Sequence, residues 1–301
     1  MKRFIKFLLA FCILLVTPGT AWSEQGPGLL LNGKFFPGDA GLRLEKGITM
    51  VQIRPLAEAL GAEVNYRSGD YKVTVKLGNK YIIFTIGSNK AVVNGQEVQL
   101  ARPTRVEGGR TQVPLRAVAE ALNYNVTWNA KAHLINLSSP DAKKIAFGWR
   151  ERDGQIGDYA WQDGNRNVNG DWYKEGYSKY MDFAVITAAD QAVSMPPLKT
   201  LAPIWPPRED YDKYLLLFAY LGEVPSGGYG IYVEEINQVG QEVLVRVRTV
   251  SPEPGQIVTQ ALDYPYEYVR LQKDLLSRGS SLTFTFVDQK GIVLKQIKRE
   301  V

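Results

Sequence analysis

The sequence predicts an α+β chain that is mostly β: a duplicated strand-strand-helix-strand-strand N-terminal domain followed by a second β-rich domain. Three observations carry that expectation. The chain matches itself at an offset of 62 positions, with no insertion over about fifty residues, the mark of one supersecondary unit used twice. Helical periodicity occurs once in each copy, and only briefly. The C-terminal half instead places short apolar and alternating runs between Gly, Pro, Asn and Asp clusters, the pattern of strands joined by turns.

Residues 1 to 23 read as a secretory signal. Lys2, Arg3 and Lys6 precede an apolar run from Phe7 to Val16 that is too short to span a hydrocarbon core of roughly 30 Å as a helix. Ala21-Trp22-Ser23 puts small residues where a signal peptidase reads them, so cleavage is expected before Glu24, with cleavage after Ala21 as the alternative. Phe11 stands where a lipoprotein signal needs a small residue, and lipidation at Cys12 is not expected. Without Lys2, Arg3 and Lys6 the 36 basic residues fall to 33 against 31 acidic ones, so the basic balance is largely a targeting signal and nucleic acid is not an expected partner. Cys12 is the only cysteine. A mature chain would hold no disulfide or thiolate metal site, and its stability would rest on buried cores. No later run is long and apolar enough for a membrane span.

Within the repeat, Leu31-Asn32-Gly33 matches Val93-Asn94-Gly95, Arg54 matches Arg116, and Tyr66 matches Trp128. Ala57-Glu58-Ala59-Leu60 recurs as Ala119-Glu120-Ala121-Leu122. Asn-Gly between apolar runs predicts a two-residue hairpin, because both central positions need positive φ. Ile53, Leu56 and Leu60, like Leu115, Val118 and Leu122, fall on one face of a short helix. Pro114 is expected in the first helical turn. Gly61, replaced by Asn123 in the second copy, is expected at the left-handed residue that ends each helix.

Val113-Pro114-Leu115-Arg116, Ala119-Glu120-Ala121-Leu122 and Val126-Thr127-Trp128 together resemble the copper amine oxidase N-terminal domain-like family of secreted bacterial proteins, or stalk domain, over residues 29 to 138. The first copy departs from the pattern at Gln52, where the family has proline. The family name does not carry the chemistry, since copper amine oxidation needs three histidine ligands and a tyrosine-derived quinone, and His133 is the only histidine. A lone imidazole supplies one ligand where transition-metal sites gather three or four. His133 is expected to be a packing or surface residue, and no cofactor or metal is expected.

From Asp141 to Ser178 aromatics accumulate: Phe147, Trp149, Tyr159, Trp161, Trp172, Tyr173 and Tyr177. They read either as the core of a small β-meander or as a surface that stacks on sugar or grips peptide. Asn165, Asn167, Asn169 and Gly170 resemble the start of a calcium loop, but Gly176 stands where a bidentate Glu is required, and a loop of Asx-turns is the expected reading.

Strands are expected from Tyr180 to Ile186, Tyr214 to Leu221, Ile231 to Ile236, Val243 to Arg248, Ile257 to Ala261 and Tyr266 to Leu271. A hairpin about Asp288-Gln289-Lys290-Gly291 would follow as an appendage. Gly227-Gly228 lacks the Gly-Lys-Ser/Thr and the following helix of a phosphate loop, and reads as a tight turn. Gly222-Glu223, Ser226-Gly227-Gly228-Tyr229, Pro252-Glu253-Pro254-Gly255 and Tyr264-Pro265 resemble the C-terminal domain of the protease-complex subunit PrcB family across residues 180 to 273. That resemblance implies a non-catalytic partner of an extracellular protease complex.

The expected organisation is a signal peptide at 1–23, the duplicated stalk domain at 24–139, an aromatic-rich connecting segment at 140–179, the PrcB C-terminal-like domain at 180–273 and a C-terminal hairpin at 274–301. No enzyme is expected. Glu234 and Glu235 are strand neighbours that should point to opposite faces, Asp182 stands apart from them, and no Gly-x-Ser-x-Gly or His-Glu-x-x-His occurs. The expected role is a secreted, cell-surface-associated interaction or scaffold module with a protein partner in the cell envelope; the alternative partner is a cell-wall polysaccharide or peptidoglycan. Arg246 and Arg248, on the outer face of a half-exposed strand, and Tyr229 are the candidate contacts, working through strand-edge pairing.

Overall fold

The computed structural model describes residues 27–36, 38–130, 132–152, 155–158, 180–191, 208–277 and 281–301. The signal-peptide reading, the aromatics from Tyr159 to Tyr177 and the Asn165 to Asp171 loop lie outside the described residues. The described chain is mostly β, arranged in several sheets, with two short α-helices.

Local chemistry sets the turns. Asn32 and Gly33 have φ of 51° and 83°, and Asn94 and Gly95 have 48° and 89°, so each Asn-Gly adopts the hairpin turn with two positive φ values. These turns join β1 (Gly28–Leu31) to β2 (Lys34–Phe35) and β8 (Lys90–Val93) to β9 (Gln96–Gln99). A second hairpin follows each: β3 (Arg43–Glu45) with β4 (Ile48–Gln52), and β10 (Arg105–Glu107) with β11 (Arg110–Pro114). Next come α1 (Ile53–Ala59) and α2 (Leu115–Ala121), then β5 (Glu63–Arg67) with β6 (Lys72–Leu77), and β12 (Asn125–Asn129) with β13 (Leu134–Ser138). The expected unit is thus one hairpin short, because strands as brief as β3 and β10 contain too few residues to show alternation. Pro114 closes β11 and caps α2 instead of entering its first turn. Gly61 and Asn123, with φ of 77° and 65°, take the left-handed conformation just past the helices.

Strand pairing crosses between the two halves of this domain. β4 and β11 run antiparallel with Val51 opposite Val113, Met50 opposite Pro114 and Gln52 opposite Gln112. Val51 and Val113 are 62 positions apart, and the same shift exchanges the flanking pairs, so a local two-fold axis passes through the sheet β10-β11-β4-β3. The ion pairs obey it: Arg43 bonds Glu107, and Arg105 bonds Glu45. Hairpin β1–β2 then completes the sheet β12-β13-β1-β2 by parallel pairing, Leu29 opposite Ile135. In the opposite sheet, β5-β6-β7-β8-β9, an extra strand β7 (Lys80–Thr85) stands between β6 and β8. One core including Leu29, Val51, Leu56, Val113, Val118 and Leu137 closes the domain.

The second domain packs two sheets face to face. One is β14-β19-β20-β22-β23, built from β14 (Lys143–Lys144), β19 (Gly230–Val239), β20 (Glu242–Val250), β22 (Leu282–Val287) and β23 (Val293–Arg299). The other is β16-β15-β21-β18-β17, built from β15 (Trp149–Arg152), β16 (Gln155–Asp158), β17 (Asp182–Ile186), β18 (Tyr214–Tyr220) and β21 (Tyr266–Gln272). Leu215, Leu217, Val233, Val245, Phe284 and Phe286 fill the space between them, and Phe183 stacks on Phe286 with ring centroids 4.7 Å apart. The segment after residue 140 thus supplies three strands to these sheets. The C-terminal hairpin is no appendage, because β22 runs parallel to β20 with Val245 opposite Phe286. The run Ile257 to Ala261 forms a loop, its β-branched residues having no neighbouring strand to pair with.

Candidate protein-interaction site

The loops that join β18 to β19 and β20 to β21 clasp each other. Val224 N–H donates to the Asp263 carbonyl at 2.9 Å, and Asp263 N–H returns the bond at 3.0 Å. Gly227 N–H donates to the Thr259 carbonyl at 3.0 Å. A Cβ on Gly227 would lie 2.4 Å from Thr259 Oγ1, and one on Gly228 2.9 Å from Val258 Cγ1, so this turn is glycine because the other loop leaves no room. It is a tight turn, not a phosphate cradle. The Tyr264 hydroxyl donates to Glu223 at 3.2 Å, and desolvation followed by that carboxylate pushes the phenol above its ordinary pKa. From this fixed base the loop carries Ile257 out until it is 98% exposed, with Leu262 exposed beside the bridge.

Arg246 and Arg248 do not lie on a free edge. β20 is bonded on one side to β19 and on the other to β22, a strand of the C-terminal hairpin. Their side chains are 22% and 19% exposed and pair with Glu235 at 3.5 Å and Glu234 at 3.0 Å. Both carboxylates reach one face because the register slips between Val233 and Glu235; a bulge inserts an extra residue and breaks the alternation on which the opposite-face expectation rested. The same sheet meets the first domain. Lys34 Nζ lies 2.7 Å from Glu242, Phe35 N–H donates to the Gly291 carbonyl at 2.7 Å, and a Cβ on Gly33 would touch Arg246 Nη2 at 3.0 Å. Arg246 therefore borders the junction of the two domains. Tyr229 is half-buried and packs on the core of the second domain.

Behind this surface lies an ion pair that sequence reasoning missed. Glu267 is sealed from solvent; its Oε1 accepts from Arg150 Nη1 at 3.1 Å and its Oε2 from Val233 N–H at 2.6 Å, which ties one sheet to the other at the bulge. The signal was available, since Glu267, Val269 and Leu271 share one face of β21 and the latter two are core. With both oxygens engaged and water excluded, the group has a structural role. Asp182 pairs with Lys295. His133 is exposed, edge-on to Trp128 with ring centroids 5.7 Å apart. Among the described residues no three His, Cys, Asp or Glu gather as a metal site, and no helix is long and apolar enough to cross a membrane.

No curated protein matches this chain. Two separate stretches are similar to two different families: residues 30–137 match the family model of the copper amine oxidase N-terminal domain, and residues 215–272, from β18 through β21, match that of the PrcB C-terminal domain.

Proposed function

We propose that this chain is an exported, non-catalytic interaction protein, accessory to an extracellular protease complex, with the duplicated first domain as spacer and the second domain as the partner-binding module. The observation that carries the reading is the loop from Pro252 to Asp263. It lies inside the PrcB-type match, is pinned at its base by the Val224–Asp263 bridge, and holds Ile257 in water. A single exposed apolar residue is ordinary. A β-branched one at the tip of a loop fixed at its base is a preorganised anchor, because little chain entropy is left to lose on binding. Tyr229, on the glycine turn that this loop clasps, is the second contact. Arg246 and Arg248, covered and ion-paired, hold the face beneath. Export is supported by the basic start and short apolar run that precede Glu24.

Chemical cross-linking in cells that make the tagged chain, followed by mass spectrometry, tests this. A secreted protease is expected among the captured proteins, with recovery reduced at least ten-fold by Ile257→Asp with Leu262→Asp at an unchanged melting temperature. Equal recovery by the double variant places the contact elsewhere, and capture without any protease removes the protease assignment.

A further inference from the structure

We infer that the first domain has a binding site of its own: a groove that takes an extended, uncharged polypeptide segment as an added β-strand. The groove encloses about 1,120 Å³ and is walled by Leu42 to Glu45 on one side and Val126 to Trp128 on another. A strand that shows its face to a groove contributes every second residue; consecutive residues mean that the backbone edge itself forms the wall. β3 and β12 are both end strands, β3 in the sheet β10-β11-β4-β3 and β12 in the sheet β12-β13-β1-β2. Two strand edges thus face one cavity, and among the described residues each is paired on one side only. Unpaired N–H and C=O groups in a row are complemented by another extended backbone.

The charge pattern narrows the occupant. Arg43 is paired with Glu107, Glu45 with Arg105, and Arg116 with Glu120, so the groove's ionised groups are satisfied within the chain and ask for no opposite charge. The exposed large apolar side chains of the lining are Leu44 on β3 and Trp128 on β12, with Gln99, Thr127 and His133 as the exposed polar ones beside them. The local two-fold repeats the arrangement. Val106 and Tyr66, 62 positions away from Leu44 and Trp128, are also exposed and also lie on end strands, β10 and β5. A glycan could stack on Trp128, but it would leave both backbone edges unmatched, so a polypeptide is favoured. Five residues of β12 span about 17 Å, and seven residues of an extended chain cover them.

The test pans a displayed random heptapeptide library on the full chain and measures enriched peptides, acetylated and amidated, by fluorescence anisotropy. Uncharged peptides with alternating apolar residues are expected. Leu44→Lys with Trp128→Lys should weaken them at least ten-fold without lowering the melting temperature, as should N-methylation of alternate peptide nitrogens. No enrichment, or binding indifferent to both changes, overturns the inference. Failure of peptides together with binding of an N-acetylglucosamine hexasaccharide, lost in the double variant, overturns it in favour of a glycan groove. The partner role of the second domain is separable, because Ile257→Asp with Leu262→Asp should leave peptide binding unchanged.

Discussion

Arg150→Met should unsettle the second domain more than any surface change. Across 3.1 Å, with an effective dielectric constant of about 20, the Arg150–Glu267 attraction is about 5 kcal/mol, part of which is offset by the cost of taking both ions out of water. The substitution removes only the cation and leaves a carboxylate sealed between the sheets, for which the expected loss is about 3–5 kcal/mol. Against a domain stability of roughly 5–15 kcal/mol that is a large fraction. Adding Glu267→Gln should recover most of the loss, because the amide oxygen still accepts from Val233 N–H while the charge is gone. The deficit of Arg150→Met alone should shrink in acid, where the stranded carboxylate takes up a proton. Urea unfolding read by hydrogen exchange in β19 and β21, with α2 as internal reference, measures all three. A loss below about 1 kcal/mol, or a double variant no better than the single, would refute the reasoning that a buried ion couples the sheets.

Other expectations follow from the same geometry. Gly291 has φ of 81°, and a Cβ there would lie 2.6 Å from the Gly33 carbonyl and 2.9 Å from Phe35 N; Gly291→Ala should cost about 1–3 kcal/mol and loosen the domain junction, read by small-angle scattering. Burial first, then Tyr264 and Glu223, pushes Tyr220 up to about 12 from 10.0. Its contribution is therefore complete below pH 10 and lost as pH rises toward 12, so the urea midpoint should fall over that window, and less steeply in Tyr220→Phe. Arg246→Glu with Arg248→Glu would set four carboxylates on one face with Glu234 and Glu235, and should lower the melting temperature by several degrees.

The features legible in the sequence were those decided within a few residues. Asn32-Gly33 and Asn94-Gly95 announce their turns because few other residues tolerate positive φ at both positions, and Gly61 and Asn123 end their helices for the same reason. Strand partners are decided by packing far along the chain, and there the sequence misled. Arg246 and Arg248 alternate with valines as edge residues do, yet a strand forty residues later, β22, pairs with β20. Strand alternation predicts opposite faces for Glu234 and Glu235, and a bulge suspends it. Ile257 to Ala261 has the composition of a strand and no partner, so its propensity was overridden. Glu267 could have been found by asking which residues share a face with Val269 and Leu271.

The parallel pairing of β1 with β13 has a consequence in time. A chain leaves the ribosome N-terminus first, and Gly33 N–H must wait for Asn136, 103 residues on, before its bond can form. At roughly 5–20 residues per second the opening hairpin spends about 5–20 s without its sheet. Closing so long a loop adds little to the final cost, since that grows only as the logarithm of length, but it delays the moment at which Leu29 and its neighbours leave water. The half-made chain, rather than the finished one, is the species most open to proteolysis and aggregation.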